Sequence, residues 1–477
     1  MRFSPNQKLV VAAVYVCGMI LNSLDSTIVN VALATLAREF AVSPDAIDTV
    51  VTAYLVSLAV FIPVSGWLGD RWGTKRTFLL ALGLFTAASA LCGMAQSIDQ
   101  LVAFRILQGA GGGLLTPVGM AMLYRAFPPA ERVQVSRILM FATILGPALG
   151  PVIGGFLIER ISWRWIFYVN LPVGLGALAF GLVFLHEHQE ENAGSFDIPG
   201  FLLAAVGFGS FMFAVGRGPA EGWTQPEVIL FGLIGVLALV AFVLVEQRVQ
   251  SPMVHLHLLA NRLFRSSLVV SFFTSSAFMG TLFLMPLYLQ EAKGVSPLQS
   301  GLTTFPEALG VVVSTQVVAR LYPRIGPRRL MSGGLLFVAL VIASMAAIDR
   351  DTSLWIVRGQ MFLLGFGIAY VFLPNQVASM ATITSAQTGR ASTLSMVQRQ
   401  LGGAIGVALL SSVLTIAAAS SGVEAGLNAD AYRFAFLGGA VLALVGAGVA
   451  QMIPDADAEV TMVRGARRVV PAADVAD

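Results

Sequence analysis

The sequence is poor in charge. Of 477 residues only 12% are Asp, Glu, Lys or Arg, about half the share of an ordinary soluble domain. Such a chain cannot wet most of its surface. Cysteine is also scarce. Cys17 and Cys92 both fall inside apolar runs, which excludes a disulfide frame and a cysteine-based metal site. The four histidines form two His-x-His pairs, His186/His188 and His255/His257. Both pairs fall in connections between apolar runs and read as solvated loop, so no metal and no cofactor are expected. No G-x-x-x-x-G-K-[ST] sequence occurs, so the chain does not hydrolyse nucleotide through a P-loop. The basic residues form no stripe, which argues against a nucleic-acid partner. No catalytic constellation stands out, and the chain is not read as an enzyme.

Hydrophobic residues, by contrast, make up 56% of the chain, and mean hydropathy is +0.80. Apolar stretches of about 20 residues recur throughout, the length that crosses a bilayer as a helix. A helix satisfies its own backbone hydrogen bonds in lipid, as irregular chain cannot. The runs are 9–33, 47–67, 77–95, 101–123, 135–158 and 165–185, then 197–216 and 227–247, then 264–290, 298–320, 328–347, 353–377, 395–418 and 432–453. The first is too long for a signal-peptide core, and Asp25 interrupts it. The expected fold is therefore an all-α polytopic membrane protein of fourteen transmembrane helices, with the bilayer as its partner. An even number of crossings puts both termini on one side. If that side is cytoplasmic, twenty Lys and Arg residues lie inside and seven outside, as the positive-inside rule requires.

The chain also repeats itself. Asp70-Arg71-Trp72-Gly73-Thr74-Lys75-Arg76 matches Pro323-Arg324-Ile325-Gly326-Pro327-Arg328-Arg329 at an offset of 253 residues, and Arg105 and Arg358 stand at that same offset. Two such matches point to duplicated halves, a common transporter plan with a binding site between the halves. The central pair of runs then reads as an insertion. The expected division is 1–190 for a first six-helix bundle and 191–260 for an inserted helix pair with linker. A second six-helix bundle follows at 261–455, then a cytoplasmic tail at 456–477. Each chain has enough helices to form its own pathway, so a functional monomer is expected.

Charges at membrane depth cost roughly 3 kcal/mol or more, and so tend to be functional. Asp25, late in the first run, can hold a proton in one conformation and release it in another. A helix-end polar group bonded to Thr27 or Asn30 is the structural alternative. Glu307 follows Pro306, which frees backbone groups and bends a helix. Such an acid could hold a proton or neutralise a cationic substrate. Arg105 cannot shed its proton and must find a carboxylate, carbonyls or water. Arg358 sits near its helix end, where it can snorkel. The run Gly146-Pro147-Ala148-Leu149-Gly150-Pro151-Val152-Ile153-Gly154-Gly155 spaces small residues by four, which lets helices approach closely, while its prolines break regularity. The run Gly109-Ala110-Gly111-Gly112-Gly113 follows no strand and is not a phosphate loop.

At these motifs the chain resembles the major facilitator superfamily, specifically its fourteen-helix drug:proton antiporter family. The resemblance covers nearly the whole length. It rests on LDSTIVNVAL in the first run, GWLGDRWGTKR from Gly66 to Arg76, FRILQGAGGG from Phe104 and GPALGPVIGG from Gly146. WRWIFYVNLPVG from Trp163 and RQLGGAIGVALL from Arg399 add to it. The resemblance implies the major facilitator fold, two six-helix bundles here carrying an inserted central pair. It implies proton-coupled export of small amphipathic or cationic compounds from a bacterial cytoplasmic membrane by alternating access, as in multidrug efflux. Asp25 and Arg105 would serve proton coupling or substrate binding; the reading of the residues themselves adds Glu307 and Asn30 to the proton-coupling or cavity candidates, with Arg358 and Arg399 as further ones. Gly66, Asp70, Arg71, Gly73, Lys75 and Arg76 would form a cytoplasmic latch. Gly146, Pro147, Gly150, Pro151, Gly154 and Gly155 would form the antiporter hinge. Departures are Ala34 for a frequent proline, Thr74 for a basic residue, Pro323 where the second half lacks an equivalent of Asp70, and Glu307 for an uncharged residue. Other readings are an exporter dedicated to one endogenous metabolite or lipid, a proton-symport importer, and a non-transporting scaffold or receptor.

Overall fold

The computed structural model describes residues 6–42, 44–127, 131, 133, 135, 146, 149–150, 153–189, 195–249, 252–384, 387–419 and 429–462. Every regular element among them is helical. The first bundle contains α1 (Gln7–Glu39), α2 (Pro44–Trp72), α3 (Thr74–Met94) and α4 (Ile98–Ala126). It continues with α5 (153–160), α6 (Trp165–Tyr168) and α7 (Asn170–Phe184). The central pair is α8 (Ile198–Glu221) and α9 (Pro226–Glu246). The second bundle contains α10 (Arg262–Leu287), α11 (Pro297–Thr304), α12 (Pro306–Ile325), α13 (Pro327–Met345), α14 (Leu354–Ser379), α15 (Thr388–Ala419) and α16 (Ala429–Ala450). Thirteen described helical segments are long and apolar enough to cross a membrane. The remaining expected crossing, 135–158, lies mostly outside the described residues; its described end, 153–160, belongs to α5.

Local chemistry explains the helix starts. Side chains of Asn6, Ser97, Asp197, Asn261 and Ser353 accept hydrogen bonds from first-turn amides of α1, α4, α8, α10 and α14. These caps satisfy donors that a helix leaves open. Pro226, Pro297, Pro306 and Pro327 each open a helix, where a missing N–H costs nothing. The tenth expected crossing is broken at Phe305 between α11 and α12, because Pro306 lacks the donor that would continue the ladder. The thirteenth starts at Thr388 instead of 395. Its first turns hold Arg390, Ser392, Thr393 and Ser395, which face protein rather than lipid, so an apolar pattern misses them.

The duplication is visible in the backbone. Gly73 and Gly326 both adopt positive φ, +94° and +85°, a conformation that L side chains rarely take. The helix after each glycine is capped from afar. The Glu187 carboxylate accepts from the amides of Lys75 and Arg76 at 2.9 and 3.1 Å. The Asp455 carboxylate accepts from the amide of Arg328 at 2.9 Å. In each half, then, the segment after the last helix returns to cap the third. The start of the tail therefore packs against the bundle, and Tyr322 and Thr461 share a 2.8 Å hydroxyl hydrogen bond.

The inserted pair is not uniform. α8 packs against α2 of one bundle and α15 of the other, with Trp223 beyond its end donating to Ser412 Oγ at 2.8 Å. α9 packs on α8 and exposes Ile229, Leu230, Leu233 and Leu237, the face expected of a helix in lipid.

Candidate functional site

Asp25 is not a helix-end residue. α1 continues fourteen residues past it to Glu39, and Asp25 is 0% exposed. The Arg105 Nη1 donates to Asp25 Oδ2 at 2.5 Å and to Gln108 Oε1 at 2.8 Å. Gln108 Nε2 and Asn170 Nδ2 donate to Asp25 Oδ1 at 2.8 and 3.4 Å. The Arg105 guanidinium, 1% exposed, lies 4.1 Å from the ring centroid of Tyr54. Four helices, α1, α2, α4 and α7, thus converge on one buried ion pair, and Asn170 Nδ2 also bonds Ser89 Oγ of α3 at 3.0 Å. A buried pair of this kind is stable only while both charges are present. The side chain of Asn30 lies outside the described residues.

Polar contacts continue from the pair. The Tyr54 hydroxyl donates to Asn22 Oδ1, and Asn22 Nδ2 donates to Thr116 Oγ1 at 3.0 Å. Met120, one turn further along α4, lines a cavity of about 30 Å³ between the two bundles. Arg399, Asn375, Gln376 and Ser267 face the same space.

The glycines of the fifth run touch α1 on the turn that holds Asp25. A Cβ at Gly146 would meet Ser23 Cβ at 2.4 Å, and at Gly150 it would meet Thr27 Oγ1 at 2.2 Å. One at Gly154 would meet Ile28 Cγ1 at 2.8 Å, while at Gly155 nothing lies within 4 Å. Pro147 and Pro151 lie outside the described residues.

At one end of the molecule the bundles are tied together. Asp70 Oδ1 accepts from Arg125 at 3.2 Å, and Asp70 Oδ2 lies 3.5 Å from Arg390 on α15. Nearby, Ser65 and Thr393 hydroxyls are 3.3 Å apart, and a Cβ on Gly66 would meet Thr393 Oγ1 at 2.9 Å. Arg71 is exposed and makes no ion pair among the described residues. Lys75 Nζ donates to Leu182 O, and Arg76 lies 3.7 Å from Glu187. These latch-motif residues thus divide. Gly66 and Asp70 join the bundles, whereas Gly73, Lys75 and Arg76 anchor the start of α3. His255 is close to Arg390 and His257. Burial first, then those two neighbours, hold its imidazole down at about 4 from its ordinary 6.5.

Glu307 follows the break at Phe305 and has no hydrogen-bond or ion-pair partner among the described residues. Arg358 lies 4.4 Å from the ring of Trp355, itself 75% exposed, as a snorkelling arginine does. Among the described residues the Arg399 side chain has one hydrogen bond, 3.0 Å to Met396 Sδ. Sequence reasoning missed Gln108, Asn170, Tyr54 and Arg390. Gln108 carried a signal, since a polar residue three after Arg105 shares its helix face. The other three come from distant segments. No group of three or more metal-ligating side chains is found among the described residues.

The Major Facilitator Superfamily model matches residues 15–407. A Mycobacterium tuberculosis protein named "Multidrug resistance protein B homolog" is 34% identical over 408 residues, 85% of this chain and 76% of that one. The Streptomyces glaucescens "Tetracenomycin C resistance and export protein" is 31% identical over 394 residues, 82% of this chain and 73% of that one. Among solved structures, the proton:xylose symporter XylE aligns with a TM-score of 0.67 at 15% identity, over 96% of this chain and 98% of that one. The chain belongs to the major facilitator superfamily. It is a multi-pass membrane transporter, not an enzyme, and the relatives it resembles are named for drug resistance and export.

Proposed function

We propose that the chain exports small amphipathic compounds in exchange for protons, by alternating access. The observation that carries this reading is the Asp25–Arg105 pair, buried in the bundle that also holds the latch. A proton on Asp25 removes half of that pair and leaves the arginine uncompensated. The local structure must then rearrange. The turn holding Asp25 rests against Gly146, Gly150 and Gly154, so the change passes directly to the hinge run. Arg105 is the charge that a proton on Asp25 leaves without its partner, and Glu307 is a second acid in the other bundle. A proton entering down a potential of about 100 mV supplies roughly 2.3 kcal/mol, enough to move a balanced two-state equilibrium well to one side.

The excess of basic residues on one side supports an orientation in a bacterial inner membrane with both termini, the Asp70 end and the loops around Gly73 and Gly326 facing the cytoplasm. With that end tied by Asp70 and Arg390, the conformation is closed to the cytoplasm. Protons would enter from outside in this state, and cargo from inside in the alternate one. The relatives named for drug resistance and export support the direction of transport. One of them is named for a single compound, so a dedicated cargo is the second reading, separated from the first by profiling several unrelated compounds.

The test is efflux of the neutral dye Nile red from cells, with and without a protonophore. Asp25→Asn, Arg105→Ala and Glu307→Gln are compared at matched expression. Energised efflux should collapse with protonophore and in Asp25→Asn. Efflux untouched by protonophore and by all three substitutions overturns proton coupling.

A further inference from the structure

We infer that Arg399 is the cargo-binding charge of the cavity between the bundles, and that it selects compounds bearing a carboxylate or a similar anionic group. The inference rests on the transporter reading but names what the site prefers.

Arg399 lies on α15 and reaches toward the other bundle, where the phenols of Tyr15 and Tyr124 are its ionisable neighbours. A guanidinium has five N–H donors and stays charged. Here its one side-chain hydrogen bond among the described residues goes to a thioether, Met396 Sδ, a weak acceptor. No ion pair to Arg399 exists among the described residues. Arg105 is the contrast, with Asp25 and Gln108 on its guanidinium. Arg399 is half-buried, and a charge drawn out of water without a partner is destabilising, which is a reason to look for the partner that arrives later.

The cavity beside Arg399 supports that expectation. Among the described residues no carboxylate lines it. Two of its polar side chains, Ser267 and Asn375, are more than nine-tenths buried, and among the described residues Ser267 Oγ and Asn375 Oδ1 have no hydrogen-bond partner; nor has the neighbouring Ser395 Oγ. The two hydroxyls can donate to an anion that Arg399 holds in its planar fork. At about 30 Å³ the space admits a few waters or one small anionic group. The apolar body of a cargo must then occupy space made when the bundles part. A cationic head would meet a like charge here with no acid to offset it.

Three dansyl probes share one fluorophore and differ in charge: dansylglycine is anionic, dansylamide neutral and dansylcadaverine cationic. Binding is measured by fluorescence titration of the full chain in detergent, without any gradient. Dansylglycine should bind most tightly to the unaltered protein. Arg399→Gln should weaken it by about tenfold or more, as losing a charge-assisted hydrogen bond implies, and leave dansylcadaverine unchanged or tighter. Arg399→Lys should keep the order of preference. Equal dansylglycine binding by the unaltered and Arg399→Gln proteins overturns the inference, as does preference for dansylcadaverine in the unaltered chain. Should Arg399→Gln fail to fold by its melting profile, the probe preference of the unaltered chain decides alone. Competition by dihexanoyl phosphatidylglycerol but not by the choline lipid assigns the anion site to a lipid headgroup; lack of competition assigns it to soluble cargo. Asp25→Asn should still bind dansylglycine, so a failure of proton coupling and a failure of the anion site are read separately.

Discussion

The two bundles share a backbone plan but not a chemistry. α2 spans 44–72, and α11 with α12 spans 297–325, the same offset of 253 that relates Gly73 to Gly326. At that offset Asp25 becomes Phe278, Arg105 becomes Arg358, Tyr54 becomes Glu307 and Asp70 becomes Pro323. In the first bundle the arginine is buried on a carboxylate. In the second its counterpart lies against an exposed tryptophan, and the place of the acid holds a buried phenylalanine. The lesson is that duplication preserved the helix packing while the buried carboxylate–arginine pair stands in one copy. The second bundle contributes Arg390 to the latch and Arg399 to the cavity, both from α15.

Substitutions at paired positions sharpen this contrast. The largest effect is expected at the ion pair. Asp25→Asn strands a buried guanidinium and should cost about 3–5 kcal/mol of stability, with loss of energised efflux. The double variant Asp25→Asn with Arg105→Gln should regain part of that stability in a thermal melt but no efflux. Arg358→Gln, at the counterpart position, should shift stability by about 0.5 kcal/mol or less. Equal losses at Arg105 and Arg358 would break the comparison.

Next comes the latch. Asp70→Asn weakens two ionic contacts, and hydrogen bonds to charged groups contribute roughly 1.5–3 kcal/mol. Transport should fall about tenfold, while Pro323→Asp in the other half should not restore it. Helix contact follows. Gly150→Ala puts a methyl into Thr27 and should cost about 1–3 kcal/mol, whereas Gly155→Ala meets open space and should be neutral within about 0.5 kcal/mol. Thermal unfolding of both variants in detergent checks the difference.

A further effect concerns pH. The folded state holds His255 near 4 against an ordinary 6.5, so the unfolded chain binds the proton more readily. Its contribution to stability is complete above about 6.5 and is lost as pH falls toward 4. His255→Gln should flatten the melting temperature across that window. An unchanged slope would show that other groups set it.

Much of the fold was legible beforehand because a bilayer imposes a simple demand. Each crossing needs about 20 apolar residues, and the expected runs match the described helices to within a few residues at most ends. Legibility failed where helices face each other. The polar start of α15 looked like loop because its environment is protein, not lipid. The site was half legible. Asp25 and Arg105 stood out as charges at membrane depth, but nothing local said that they touch each other. Their separation of 80 residues closes only when α1 and α4 pack side by side. Arg71 shares the latch motif with Asp70, yet its side chain is exposed, a matter of helix phase that the motif does not record.

Composition alone required a polytopic helical protein, since apolar runs of bilayer length have no other way to satisfy their backbone. Sequence likewise identified which charges needed an explanation. Which charge meets which partner was decided by packing. Asp25 closes on Arg105, Asp70 on Arg390, and Arg399 is left facing a small polar cavity. The reason is that Coulomb energy depends on separation and on surrounding dielectric, and both are properties of the assembled bundles.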